Sequence, residues 1–288
     1  MAAPGFLLLF IFSYLPMFGV VIAFKNYKAS KGIWGSAWVG LKNFEYLFRT
    51  PDLQRITFNT LFLNTVFIIT GLIGAITLAL LLNEVRVKFL ARIYQTVLFF
   101  PFIISWVIVG YFAFALLNYE SGLLNSLVSS LGFEKVFWYS TPGLWPEILT
   151  LTSLWKGVGY GSVVYLAAML GINQEYYEAA MLDGANKLQQ IRYITIPFLV
   201  PIVIITTLLA IGRIFSADFG MFYYVTRDSK LLYPTTDVID TYVLRALRVN
   251  ADIGMASAAG FYQAVVGFLL VMLSNWFVKQ VDPDRSLF

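Results

Sequence analysis

Residues 173–197 read NQEYYEAAMLDGANKLQQIRYITIP, a polar stretch set between two long apolar ones, and its reading fixes how the rest of the chain is laid out. Asn173 stands where an N-cap side chain accepts a first-turn N–H, and Glu175 falls in the first turn, where a carboxylate complements the helix dipole. Gly184 is expected to end that helix, with a second short helix after it. At helical spacing Tyr176, Ala179, Ala180 and Asp183 share a face, and the alanines let another protein's surface approach the backbone.

Outside this loop the chain is suited to lipid. It is 59% hydrophobic and 12% charged, against about 25% charged residues in an ordinary soluble domain. A membrane-crossing helix needs roughly 20 mainly apolar residues. Six such stretches are read, at 4–24, 58–82, 93–117, 146–171, 197–220 and 254–278, with the 173–196 loop between the fourth and the fifth. The expectation is an all-α integral membrane protein, a single six-helix domain over residues 1–288. The first stretch is long enough to span and is not read as a signal peptide. Between the first two spans, VGLKNFEYLF at 39–48 reads as a short amphipathic helix in an interfacial loop.

The chain has no Cys and no His, which argues against zinc sites, thiol nucleophiles and Ser-His chemistry. Its 20 Lys and Arg are scattered, and nucleic-acid binding has no support. No G-x-x-x-x-G-K-[ST] phosphate loop occurs: GVGYG at 157–161 lacks the lysine and lies in a span.

Positive residues should gather on the cytoplasmic side. With the N-terminus inside, Lys25, Lys28, Lys31, Lys42, Arg49 and Arg55 fall outside, against Arg86, Lys88, Arg92, Lys187, Arg192, Lys279 and Arg285 inside. The chain starts almost within a span, and a basic leader ahead of it would restore part of the bias. The 173–197 loop is therefore used to set the orientation.

That loop resembles the signature of permease subunits of binding-protein-dependent ABC importers: Glu178-Ala179-Ala180, three residues, Gly184, nine residues, Ile194, one residue, Ile196 in place of the family's Leu, then Pro197. The segment at 39–48 is similar to its counterpart in the carbohydrate-type permeases, and the overall pattern is similar to importers of oligosaccharides derived from polysaccharides, alginate and aldouronate importers among them. The resemblance implies a multi-pass protein of the bacterial inner membrane, itself not an enzyme. It would be paired with a second permease, two copies of an ATPase that bind the ATP and Mg, and an extracytoplasmic solute-binding protein. It further implies that Glu178 is the charged contact of a coupling helix, that Ala179 and Ala180 pack closely against the ATPase beside Asp183, and that Gly184 reverses the chain. The rival reading is a stand-alone secondary transporter or channel, but the spans hold few acids for ion coupling apart from Asp218.

Polar groups in apolar spans are costly and mark candidate paths. Arg213 would meet sugar hydroxyls or a uronate carboxylate bidentately, or else form a structural ion pair with Asp218 or a neighbouring subunit's acid. Asn64 and Gln263 either line the path or tie helices together. Tyr160 and Tyr262 stack on sugar rings or serve packing. Gly157, Gly159 and Gly161 allow either close helix approach or local unwinding. The charged segment 222–250 faces water, receiving a binding protein or simply solvated.

Overall fold

The computed structural model describes residues 3–249 and 251–281; Arg285 and Asn250 lie outside the described residues. Nearly everything described is helical, apart from one two-residue antiparallel pair, Lys25–Asn26 with Ala37–Trp38. The principal helices are α1 (Pro4–Phe24), α2 (Lys42–Arg49), α3 (Pro51–Asn83), α4 (Lys88–Ile103), α5 (Trp106–Leu117), α6 (Leu123–Ser130), α7 (Trp145–Leu170), α8 (Gln174–Leu182), α9 (Lys187–Ile211), α10 (Ile239–Arg248) and α11 (Ile253–Val281).

Four of these, α1, α3, α9 and α11, are long and apolar enough to cross a membrane, and α4 with α5 makes a fifth if the pair is one broken span. The expected fourth span, α7, has the length at 26 residues, but Glu147, Lys156 and a run of Ser, Thr and Gly dilute its apolar character. The expected straight helix at 93–117 is instead bent by 96° between Ile103 and Trp106. Pro101 has no N–H to continue the ladder. Ser105 starts the next helix by accepting the Ile108 N–H. The expected fifth span also shifts, since α9 begins ten residues earlier than read and stops at Ile211, leaving Arg213 in irregular backbone.

The centre of the bundle is α3 packed along α7, where small residues bring the helices close. Ala75, Ala79, Leu82, Tyr165, Leu166, Met169 and Leu199 form the core at one end, and fully buried Trp145 with Leu149, Met221, Phe222 and Val225 forms it at the other. In α1, Pro16 withdraws an N–H, and the helix relaxes into a wide turn at Phe10–Tyr14 and a tight one over Leu15–Phe24. Helix α2 is amphipathic as read, burying Phe44 and Leu47.

The segment after Gly220, expected as solvated loop, is a packed cap. The Asp237 side chain has no exposed surface and receives both Arg55 and Arg245, while Arg245 also reaches Asp228 at 3.4 Å and stacks 4.2 Å over Tyr233. Burial opposes the charge on Arg245, and the Asp237 and Asp228 carboxylates overcome it, holding its pKa above the ordinary guanidinium value. Some of the cations in the charge count have partners in the fold. Arg55 pairs with Asp52 and Asp237, Arg49 pairs with Glu45, and buried Lys25 donates to the Ile33 and Trp34 carbonyls. Lys25 and Arg55 are therefore committed to the fold, while the Arg49 pair is exposed.

Candidate functional site

The 173–197 loop is built as a stiff projection. Asn173 caps α8 by accepting the Glu175 N–H at 3.1 Å. At the other end Gly184 adopts φ +80°, the Gly184 N–H reaches the Met181 carbonyl and the Ala185 N–H reaches the Ala180 carbonyl, the paired bonds of a Schellman turn. Asn186 and Gln189 then form a reciprocal capping box that opens α9. The expected second short helix is thus the first turn of the span itself. Its one irregularity, a wide turn at Ile191–Thr195, precedes Pro197, which lacks the N–H that would close the regular bond.

Three contacts fasten the projection to the bundle. The Tyr177 and Thr195 hydroxyls share a hydrogen bond at 3.0 Å, and the Tyr176 ring lies 5.4 Å from Phe198. Lys187 pairs with Glu84 at the end of α3 at 3.2 Å, an exposed pair worth at most about 1 kcal/mol. Glu178, Ala179, Asp183 and Gly184 are exposed and Ala180 half-buried. The most exposed apolar residues of the loop are ones the helical-face reading left out: Leu182 at 90% and Leu188 at 76%, with Met181 beside them. An apolar side chain in a polar loop was the available signal.

Within the bundle a cavity of about 300 Å³ is lined by Asn64, Trp106, Ser153, Arg213, Asp218 and Met221, among others. Asn64 and Arg213 are thereby brought together. Asn64 Nδ2 donates to the Ile214 carbonyl at 2.9 Å, securing the irregular backbone after α9. Asp218 is not the partner of Arg213: its carboxylate accepts the Trp106 indole N–H at 2.7 Å and the Gly220 N–H at 3.1 Å. Among the described residues Arg213 has no ion pair, and it is exposed to the cavity. A neighbouring crevice of about 290 Å³ shares Phe67, Ile68, Ser153 and Ala210 with this cavity and adds Gly157, Thr206 and Thr207.

The other candidates lie elsewhere. Tyr160 stacks on Phe102 with ring centres 4.3 Å apart. Tyr262 hydrogen-bonds Thr57 and sits edge-on to Phe48 and Phe215. Gln263 donates to the Phe215 carbonyl at 2.6 Å and to Asp240, tying α11 to α10.

Lys156 was missed, although it is an ionisable group inside an apolar stretch. From α7 its Nζ donates to the carbonyls of Pro101, Phe102 and Ile104 at 3.1, 2.8 and 2.5 Å, closing the end of α4 where the chain bends into α5. The ammonium also lies 5.0 Å over the Trp106 ring, on the rim of the cavity. Backbone carbonyls freed inside a bilayer need such a partner. Lys156→Met is expected to lower the melting temperature of the purified protein by removing it, at roughly 1–3 kcal/mol, and Lys156→Arg should restore most of the loss. Equal melting of Lys156→Met and the parent would show that the break holds without it.

Residues 68–286 match the family described as "Binding-protein-dependent transport system inner membrane component". The chain is 35% identical over 281 residues to Protein LplB of Bacillus subtilis, covering 98% of this chain and 88% of that protein. It is also 35% identical to the polygalacturonan/rhamnogalacturonan transport system permease protein YteP of Bacillus subtilis, covering 99% and 88%. Among solved structures, it overlays with a TM-score of 0.88 and 32% identity on a chain of a bacterial ABC transporter involved in the import of the acidic polysaccharide alginate, covering 97% of this chain and 93% of that one. The bacterial alginate ABC transporter in complex with alginate pentasaccharide-bound periplasmic protein gives 0.87, with 97% and 92% covered.

Proposed function

The chain belongs to the binding-protein-dependent transport system inner membrane components, and from that premise we propose that it is one of two different permeases in an ATP-driven importer of acidic oligosaccharides delivered by a solute-binding protein. It crosses the membrane six times, α4 and α5 together making one broken crossing and α7 an unbroken one. ATP and Mg are bound by the partner ATPases. Helix α8 is the coupling helix: Glu178 and Asp183 supply charge, Ala179 and Ala180 close approach, and Leu182 and Leu188 the apolar contact. Because Asn186 opens α9 directly behind Gly184, a push on α8 is delivered to a membrane helix without an intervening flexible joint.

The observation that carries the sugar reading is Arg213, a guanidinium with no acidic partner in a cavity that also holds the Trp106 ring and the Asn64 amide. An arginine fork matches a carboxylate bidentately, and an aromatic face suits the apolar side of a sugar ring. In the assembled transporter, Arg213→Gln is expected to lower uptake of a uronate oligosaccharide about tenfold, with less than about a twofold effect on a neutral one. Equal losses on both would return Arg213 to a structural role.

A further inference from the structure

Helix α5 and the wide helical turn Met221–Val225, which give Trp106 and Met221 to the Arg213 cavity, also line a second cleft. One half, about 250 Å³, is lined by Val107, Gly110, Tyr111, Tyr223, Tyr224 and Asp228, whose carboxylate is already held by Tyr233 and Arg245, and the other, about 460 Å³, by Tyr119, Phe137, Trp138 and Tyr139; both include Phe114 and Arg227. The halves meet where the Arg227 guanidinium lies 3.9 Å over the Phe114 ring. The larger is on the scale of a ligand cleft, roughly 300–1,000 Å³, and the smaller adjoins it.

Arg227 is aimed there at a cost. Arg227 and Asp228 are consecutive non-glycine residues with positive φ, +58° and +47°, a conformation that persists only when its surroundings enforce it. The enforcement falls on Asp228, whose carboxylate accepts the Tyr233 hydroxyl at 3.0 Å and faces Arg245 at 3.4 Å. Arg227 itself has no ion pair among the described residues. The nearby Tyr139 does not supply an anion either. Burial pushes its phenol up to about 12 against the lowering pull of Arg227, so the hydroxyl stays protonated and is directed at the Val225 carbonyl, 3.2 Å away. The result is a guanidinium held over one ring, with no ion pair or hydrogen bond among the described residues, between two aromatic-walled hollows at the end of the bundle remote from α8.

We propose that this cleft is a receiving subsite for one uronate unit of an acidic oligosaccharide, the carboxylate paired with Arg227 and the sugar faces resting on the flanking rings, before the chain passes to Arg213. The inference rests on the oligosaccharide-import reading. Arg227 then acts as a charge filter at the outer end of the path, and Phe114 is its positioning residue.

The test uses the complete transporter in lipid nanodiscs, titrated with tri-galacturonate and with its neutral methyl ester, alongside uptake driven by the loaded binding protein. Arg227→Gln should raise the half-saturating tri-galacturonate concentration at least about tenfold and change the ester value less than about twofold. Arg227→Lys should fall between, since an ammonium keeps the charge and loses the fork. Phe114→Leu should weaken tri-galacturonate selectively without removing any charge. Retained uptake with equal tri-galacturonate binding by Arg227→Gln and the parent would overturn the subsite while leaving import standing. Loss of both probes in equal measure would make Arg227 a structural residue. A parent transporter that takes up neither probe would overturn the import reading and the subsite with it.

Discussion

Replacing Gly184 with valine is expected to abolish sugar uptake while the membrane helices still fold. No heavy atom stands within 4 Å of the position a Cβ would take, so crowding is not the reason. The reason is the backbone: φ is +80°, and a left-handed conformation costs an L-residue about 1–2 kcal/mol, with β-branched side chains worst placed to accept it. Relieving that strain unwinds the Schellman turn and frees the Met181 and Ala180 carbonyls, and α8 loses the angle at which it leaves α9. Because the loop is exposed and makes few contacts with the bundle, the penalty stays local. The protein should purify in normal yield and melt within a few degrees of the parent, yet couple ATP hydrolysis to uptake at less than about a tenth of its rate. Gly184→Asn is the control, since asparagine tolerates the left-handed region, and it should keep most of the transport. Normal uptake by Gly184→Val would remove α8 from the coupling role.

The reason this loop was legible in the sequence is that its structure is local. Caps, turns and a glycine with positive φ are decided by residues within five positions of one another, and Asn173, Gly184 and Asn186 state them in order. The bend between α4 and α5 was not legible in the same way. Pro101 permits a break but does not require one, and the partner that stabilises it, Lys156, lies some fifty positions further on and acts through backbone carbonyls that carry no sequence signal. Part of the charge count was illegible for a related reason: Lys25 and Arg55 read as loop cations until their partners are seen, and the decisive partner of Arg55, Asp237, is on the far side of the sequence. Asn64 and Arg213 were both read as polar residues inside apolar spans; the fold sets both on one cavity, but Arg213 stands in the irregular backbone just past the end of α9. Tyr262 and Gln263 satisfied the same rule and were absorbed by packing, because an amide or phenol at a helix contact looks the same in sequence whichever way it faces.

The glycine series at 157–161 shows how large the consequences of such invisible neighbours are. Helix α7 runs unbroken through all three, so local unwinding is not their use. A Cβ on Gly159 would lie 1.8 Å from the Leu98 carbonyl oxygen and 2.4 Å from its carbon, both backbone atoms of α4 that no rotamer change can move. One on Gly161 would come within 3.2 Å of the Ala75 Cβ, and one on Gly157 would meet nothing within 4 Å, since that position faces the crevice. Alanine is the better helix former by about 1 kcal/mol, so Gly157→Ala should raise the melting temperature slightly. Gly161→Ala should roughly cancel that gain against a tight contact. Gly159→Ala must push α4 away from α7, at an overpacking cost of about 1–3 kcal/mol or more. The same displacement drags the Pro101, Phe102 and Ile104 carbonyls off Lys156, one helical turn from Gly159 on the same side of α7, so the two losses add. Expression and thermal unfolding of the three variants in detergent give the ranking. A Gly159→Ala protein as stable as Gly157→Ala would mean that α4 and α7 are not in backbone contact, and Lys156 could not then reach the carbonyls at the break.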